Sequence, residues 1–89
     1  MAKRREKTKV IYDILKIISQ HNNSIKPTPL LRFSNLSFHL FNEYISELTE
    51  KELIIENKQD NKSYSLTEKG YKYLEKYKSF QDFIEEFLL

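Results

Sequence analysis

Eighty-nine residues make one domain with room for a single modest core, and the balance of 31% charged to 39% hydrophobic residues is that of a globular chain. The absence of cysteine excludes disulfides, thiolate metal sites and cysteine nucleophiles, and no apolar run nears the ~18 residues of a membrane span. Net charge is only +2, but it is unevenly spread: residues 1–35 carry +6, residues 36–62 carry −3 and residues 63–89 carry −1. A positive field gathered at the N-terminal end suits a polyanionic partner, although a solvated basic tail has the same composition.

The first nine residues, MAKRREKTK, are basic, and the segment after them lacks the uninterrupted apolar stretch and small-residue cleavage site of a signal peptide. The cytoplasm is therefore the expected compartment. In KVIYDILKIISQ, Ile11, Ile14, Leu15 and Ile18 recur at steps of three, one and three, which is one face of an amphipathic helix. His21, Asn22, Asn23 and Ser24 then stop it with residues that prefer turns. Ile25 stands alone between polar neighbours and is expected to form a one- or two-residue β-bridge.

Two helix starts follow in close succession. Thr28 is positioned to cap a short helix, with Pro29 at its first turn, where a missing donor costs nothing. Leu30, Leu31 and Phe33 supply its apolar face before Ser34 and Asn35 end it after about one and a half turns. Leu36 is placed as a buried turn residue. Ser37 caps a second helix whose inward stripe is Leu40, Phe41, Tyr44, Ile45 and Leu48. A connection this short forces a steep crossing, the geometry of a helix-turn-helix. Leu53 to Ile55 and Tyr64 to Leu66 read as two short strands around a polar tip, a hairpin in the position of a wing. Thr67 caps a last helix, with Glu68 in its first turn.

The order is helix, bridge, helix, helix, hairpin, helix. The expected fold is mainly α with a small β-hairpin: a winged helix-turn-helix over residues 1–66, joined in one compact unit to a long C-terminal helix over residues 67–89. That last helix would reach roughly 33 Å, longer than so small a core can cover. Tyr73, Tyr77, Phe80, Ile84 and Phe87 are spaced four, three, four and three, the seam of a coiled coil, and Leu74, Phe83 and Leu88 widen it. An apolar stripe left facing water marks a partner surface, so a homodimer built on this helix is expected. The alternative is a monomer with the helix folded back on KVIYDILKII.

Four segments, VIYDIL, NLSF, YISELTEKELI and YSLTEKGYKYLEKY, resemble in order the small archaeal winged-helix proteins of the crenarchaeal ten-kilodalton DNA-binding dimer type. The resemblance runs from about Arg5 to the C-terminus. It implies double-stranded DNA as partner, an antiparallel coiled coil of C-terminal helices, a role in transcription regulation or chromatin, and no cofactor. Such proteins commonly have glycine where this chain has Glu52, which implies either that the helix before it runs on or that the turn differs.

On the outward face of the second helix of the helix-turn-helix, Ser37, Phe38, His39, Asn42 and Ser46 are the candidate base readers. Asparagine pairs with adenine edges, serine and histidine donate or accept, and phenylalanine meets a thymine methyl. That segment carries no Lys or Arg before Lys51, so the phosphate grip that dominates affinity must come from elsewhere. The candidates are Arg4, Arg5, Lys7, Lys26, Arg32, Lys58 and Lys62, joined by Lys3 and Lys9 in the arm. Glu43 and Glu47 repel phosphate, although a glutamate can accept from cytosine; Glu47 stands at ion-pair spacing from Lys51. An uncharged reading helix in an acidic middle third equally suits a winged helix retained as a protein–protein interaction module. His21 and His39 are not at metal-ligand spacing. No phosphate-cradling glycine loop, nucleophile elbow or paired histidine motif is present, so neither metal, cofactor nor enzyme activity is expected.

Overall fold

The computed structural model describes residues 6–59 and 62–88. Helix α1 (Lys7–Gln20) is followed by α2 (Pro27–Ser34), α3 (Phe38–Glu50), strands β1 (Ile54–Asn57) and β2 (Ser63–Leu66), and α4 (Glu68–Leu88). The strands form an antiparallel hairpin in which Ile54 faces Leu66 and Asn57 faces Ser63. The isolated Ile25 does form a bridge, exchanging both backbone hydrogen bonds with Tyr64 at 3.2 and 2.8 Å.

The core is built where the periodicity places it. Ile14, Leu15 and Ile18 of α1 are fully buried against Leu30 of α2, Leu48 of α3 and Ile54 of β1. Each such side chain contributes about 1.5–3 kcal/mol by leaving water. Two expected core positions lie further out: Leu40 is 39% exposed and Phe33 is 50% exposed, its ring tilted against His21 at 5.3 Å. Phe33 lies in the last turn of α2 and Leu40 in the first turn of α3, on either side of the short connection between the two helices.

Helix α2 begins earlier than its capping residues suggest. Pro27 takes the first position, Lys26 is the N-cap without a side-chain bond, and the helix runs eight residues rather than one and a half turns. The first turn needs no backbone donor, so both prolines fit inside it, and exposed Thr28 is not the cap. In α3, by contrast, Ser37 Oγ accepts from the Leu40 amide at 3.2 Å, as its sequence position implies.

The turn after α3 keeps the shape that glycine would adopt. Glu52 takes φ 61°, while the Leu53 amide donates to Leu48 O at 2.9 Å and the Glu52 amide to Thr49 O at 3.1 Å. This is a Schellman stop with glutamate in the left-handed position; the helix does not run on. The Asn22–Asn23 turn is also left-handed, and Asn23 Oδ1 accepts from the Leu66 amide at 2.7 Å, tying the end of α1 to the hairpin.

Helix α4 is split in its surroundings. Its first half packs on α1: the Tyr77 ring stacks on buried Tyr12 at 4.5 Å, and the Tyr73 hydroxyl donates to Thr8 O at 2.8 Å. The fold-back weighed as the alternative arrangement thus describes this half. Beyond it the helix projects outward, with Phe80 64% exposed and Phe87 73% exposed. No helix among the described residues is long and apolar enough to cross a membrane.

Candidate nucleic-acid interface

His39, Asn42 and Ser46 come together in one shallow hollow on the outer face of α3, bordered by Glu43, Glu47 and Glu50. The helical period puts them there because Phe41, Ile45 and Leu48 take the opposite, buried face. Phe38 stands at the N-terminal end of the same helix and is 69% exposed. Ser37 lies beside it with its oxygen committed as acceptor to the Leu40 amide, which leaves its hydroxyl proton available.

The electrostatics of this face are set by pairs. Glu47 Oε2 lies 2.9 Å from Lys51 Nζ, the pair its spacing suggests, and 2.8 Å from Lys7 Nζ on α1. Lys51 first and Lys7 second hold the Glu47 carboxyl below its ordinary range, and Glu47 in turn raises Lys7. Glu43 differs: its Oε1 lies 3.5 Å from His39 Nε2, a group charged only when protonated.

The candidate phosphate contacts are dispersed. Arg4 and Arg5 lie outside the described residues. Lys7 is engaged by Glu47. Lys26 is exposed at the start of α2, and the Arg32 guanidinium lies over the Phe33 ring at 5.3 Å from its centroid. On the hairpin, Lys58 is exposed and Lys62 Nζ meets Glu56 Oε2 at 3.1 Å, which raises the Lys62 pKa. Asn57 Nδ2 braces the same hairpin from within, donating to Ser65 Oγ at 2.8 Å.

The candidate pairing residues divide. Tyr73 and Tyr77 are half-buried against α1, and burial followed by the nearby Tyr77 pushes the Tyr73 hydroxyl up. Phe80 and Phe87 are exposed and Ile84 is half-buried. Phe83 lies against Phe87 at 4.8 Å between ring centroids. The sequence reading missed Tyr12, whose ring receives Tyr77, and the tie from Lys7 to Glu47. The only signal for the first was an aromatic one step off the apolar stripe, and the second joins residues far apart in the chain.

A helix-turn-helix followed directly by a β-hairpin defines a winged-helix protein. The winged helix-turn-helix family matches residues 4–85, and the chain belongs to it. The fold is similar to Sso10a-2, a DNA-binding protein from Sulfolobus solfataricus, with a TM-score of 0.77 and 18% identity over 94% of this chain and 86% of that one. It is also similar to F93 from STIV, a winged-helix DNA-binding protein, with a TM-score of 0.75 and 23% identity over 85% of this chain and 90% of that one. The resemblance of the four sequence segments to small archaeal winged-helix proteins is thus borne out in the fold. No curated protein matches the chain significantly.

Proposed function

We propose that this protein binds double-stranded DNA as a homodimer and acts as a transcriptional regulator or a small chromatin-associated protein. The observation that carries the reading is the outer face of α3. In a winged helix this is the element shaped to enter a major groove, and here it offers Phe38, His39, Asn42 and Ser46 unburied. Both structural neighbours are DNA-binding proteins by name. Lys26, Arg32, Lys58 and the basic N-terminal arm supply the phosphate contacts that α3 lacks.

Dimerisation uses the projecting half of α4. Phe80, Phe83 and Phe87 are each more than half exposed, a patch that a second copy would cover. The helix is also polarised: in its first part Lys69, Lys72, Lys76 and Lys78 outnumber Glu68 and Glu75, and its last part carries Asp82, Glu85 and Glu86 with no Lys or Arg. An antiparallel pair sets opposite charges against each other, and a parallel pair sets like against like.

The second reading, a protein-interaction module, is favoured by the three carboxylates bordering the α3 hollow. Anisotropy of a labelled mixed-sequence duplex, titrated with protein at several salt concentrations, separates the two. Binding that weakens steeply with salt is expected of the DNA reading; no binding at low salt, and no fragments recovered in a genomic selection, would leave the interaction module. A sedimentation measurement showing monomer at micromolar concentration would remove the dimer.

A further inference from the structure

We infer that Glu43 is a specificity residue, selecting cytosine by accepting a hydrogen bond from its exocyclic N4 amino group. This rests on the DNA-binding reading and deepens it. The carboxylate belongs to the same hollow as His39, Asn42 and Ser46, and its side chain is 60% exposed, so it stands where a base edge would lie. The two acidic neighbours on one ridge of α3 are treated differently by the fold. Glu47 is held by two lysines, Lys7 and Lys51. Among the described residues Glu43 has only the His39 ring, at 3.5 Å. Lys7 borders a hollow that Glu43 also lines, yet its Nζ is spent on Glu47.

A carboxylate at the border of a reading face cannot add to phosphate attraction. It opposes that attraction on every sequence, and the opposition is relieved only where the groove edge presents a donor. Guanine offers the acceptors O6 and N7, and thymine offers O4, so both repel a carboxylate. Adenine offers an amino group beside the acceptor N7. Cytosine alone presents an amino group with no adjacent acceptor on its major-groove edge, and it is the base a carboxylate accepts from most favourably. Glu43 therefore lowers affinity for random sequence and restores it at a site with cytosine in register.

The test is a selection of bound fragments from a random duplex pool with the wild type, Glu43→Gln and Glu43→Ala, followed by anisotropy against the selected and mixed-sequence duplexes. The wild-type motif is expected to contain a cytosine position. That position should shift toward adenine in Glu43→Gln, because an amide pairs with N6 and N7 together, and become degenerate in Glu43→Ala. Affinity for mixed sequence should rise in both variants, with the ratio of selected to mixed affinity falling about tenfold. An unchanged motif and ratio in variants with unaltered thermal melts would overturn the inference while leaving DNA binding intact. Failure of the wild type to bind any duplex would overturn both.

Discussion

The Thr67 hydroxyl donates to the Glu52 carbonyl at 2.6 Å, joining the first turn of α4 to the turn that ends α3. Thr67 also donates its amide to Leu53 O at 3.2 Å, and Lys69 Nζ reaches Lys51 O at 2.9 Å. Three successive carbonyls of the turn just past the candidate reading helix, those of Lys51, Glu52 and Leu53, are thus held by the start of the helix proposed to pair the subunits. Thr67 caps α4 as well, accepting from the Gly70 amide at 3.1 Å. The joint fixes the direction of α3 relative to α4, and in a dimer that direction would set the spacing of two half-sites.

The chain's one glycine is part of this joint. A Cβ on Gly70 would collide with the Leu53 carbonyl oxygen and press on Leu66. Alanine is the better helix former, but here the obstacle is backbone, which cannot swing aside. Gly70→Ala is expected to destabilise the fold by about 1–3 kcal/mol, measured as a lowered urea midpoint with an unchanged slope. A midpoint equal to or above the wild type's would mean that α4 shifts without cost.

Glu52 offers the opposite case. Its φ of 61° suits glycine, and the left-handed conformation costs a side-chain-bearing residue about 1 kcal/mol. Its carbonyl does the bonding to Thr67, so the side chain is dispensable. Glu52→Gly should raise stability by about 1 kcal/mol, read in thermal denaturation as a higher Tm. A lowered Tm would show that the added freedom of the unfolded chain outweighs the relieved strain.

Two tyrosine hydroxyls, those of Tyr64 and Tyr73, are pushed up by burial. Burial raises Tyr64, with Glu56 adding to it against the pull of Lys62, and burial raises Tyr73, with Tyr77 adding to it, both above the ordinary 10.0. A folded pKa above the unfolded value contributes stability that is complete below the unfolded pKa and disappears as pH rises through the folded one. Stability should therefore fall progressively above about pH 10. A spectrophotometric titration should show Tyr64 and Tyr73 ionising later in the folded protein than in the unfolded one, assigned by comparison with Tyr64→Phe and Tyr73→Phe. Ionisation of these two phenols at the same pH in the folded and the unfolded protein would contradict it.

Lys7 and Lys51 are held away from any phosphate by one carboxylate. On the DNA-binding reading, Glu47→Gln releases both, and mixed-sequence duplex affinity should rise several-fold with a steeper salt dependence. Stability should change by no more than about 0.5 kcal/mol, because the pairs are at the surface. Anisotropy across salt concentrations checks the first and thermal denaturation the second. An unchanged salt slope would place these lysines outside the interface.

Ser37, Thr67 and the lone Ile25 were readable in the chain because caps and bridges depend on a few consecutive residues and on the stereochemistry of their own backbone. The helical stripes of α1 and α3 were readable for the same reason, since a period of 3.6 residues is local. The start of α2 was misplaced because two prolines and a threonine all suit a first turn, and only the docking of Leu30 into the core chooses among them. The reading face of α3 followed from its buried face, but its charge state did not. Glu47 is quieted by Lys7, which reaches it from another helix, while Glu43 in the same ridge has only His39 among the described residues.

The halves of α4 show the same division. Its seam of aromatics announced an apolar surface seeking cover. Tyr77 finds that cover on Tyr12 within its own chain, whereas Phe80 and Phe87 lie past the end of the core. Hydrophobic spacing states that a side chain must be buried. Which surface buries it depends on how far the packed helices extend beside it, a distance set only once α1 and α4 have met.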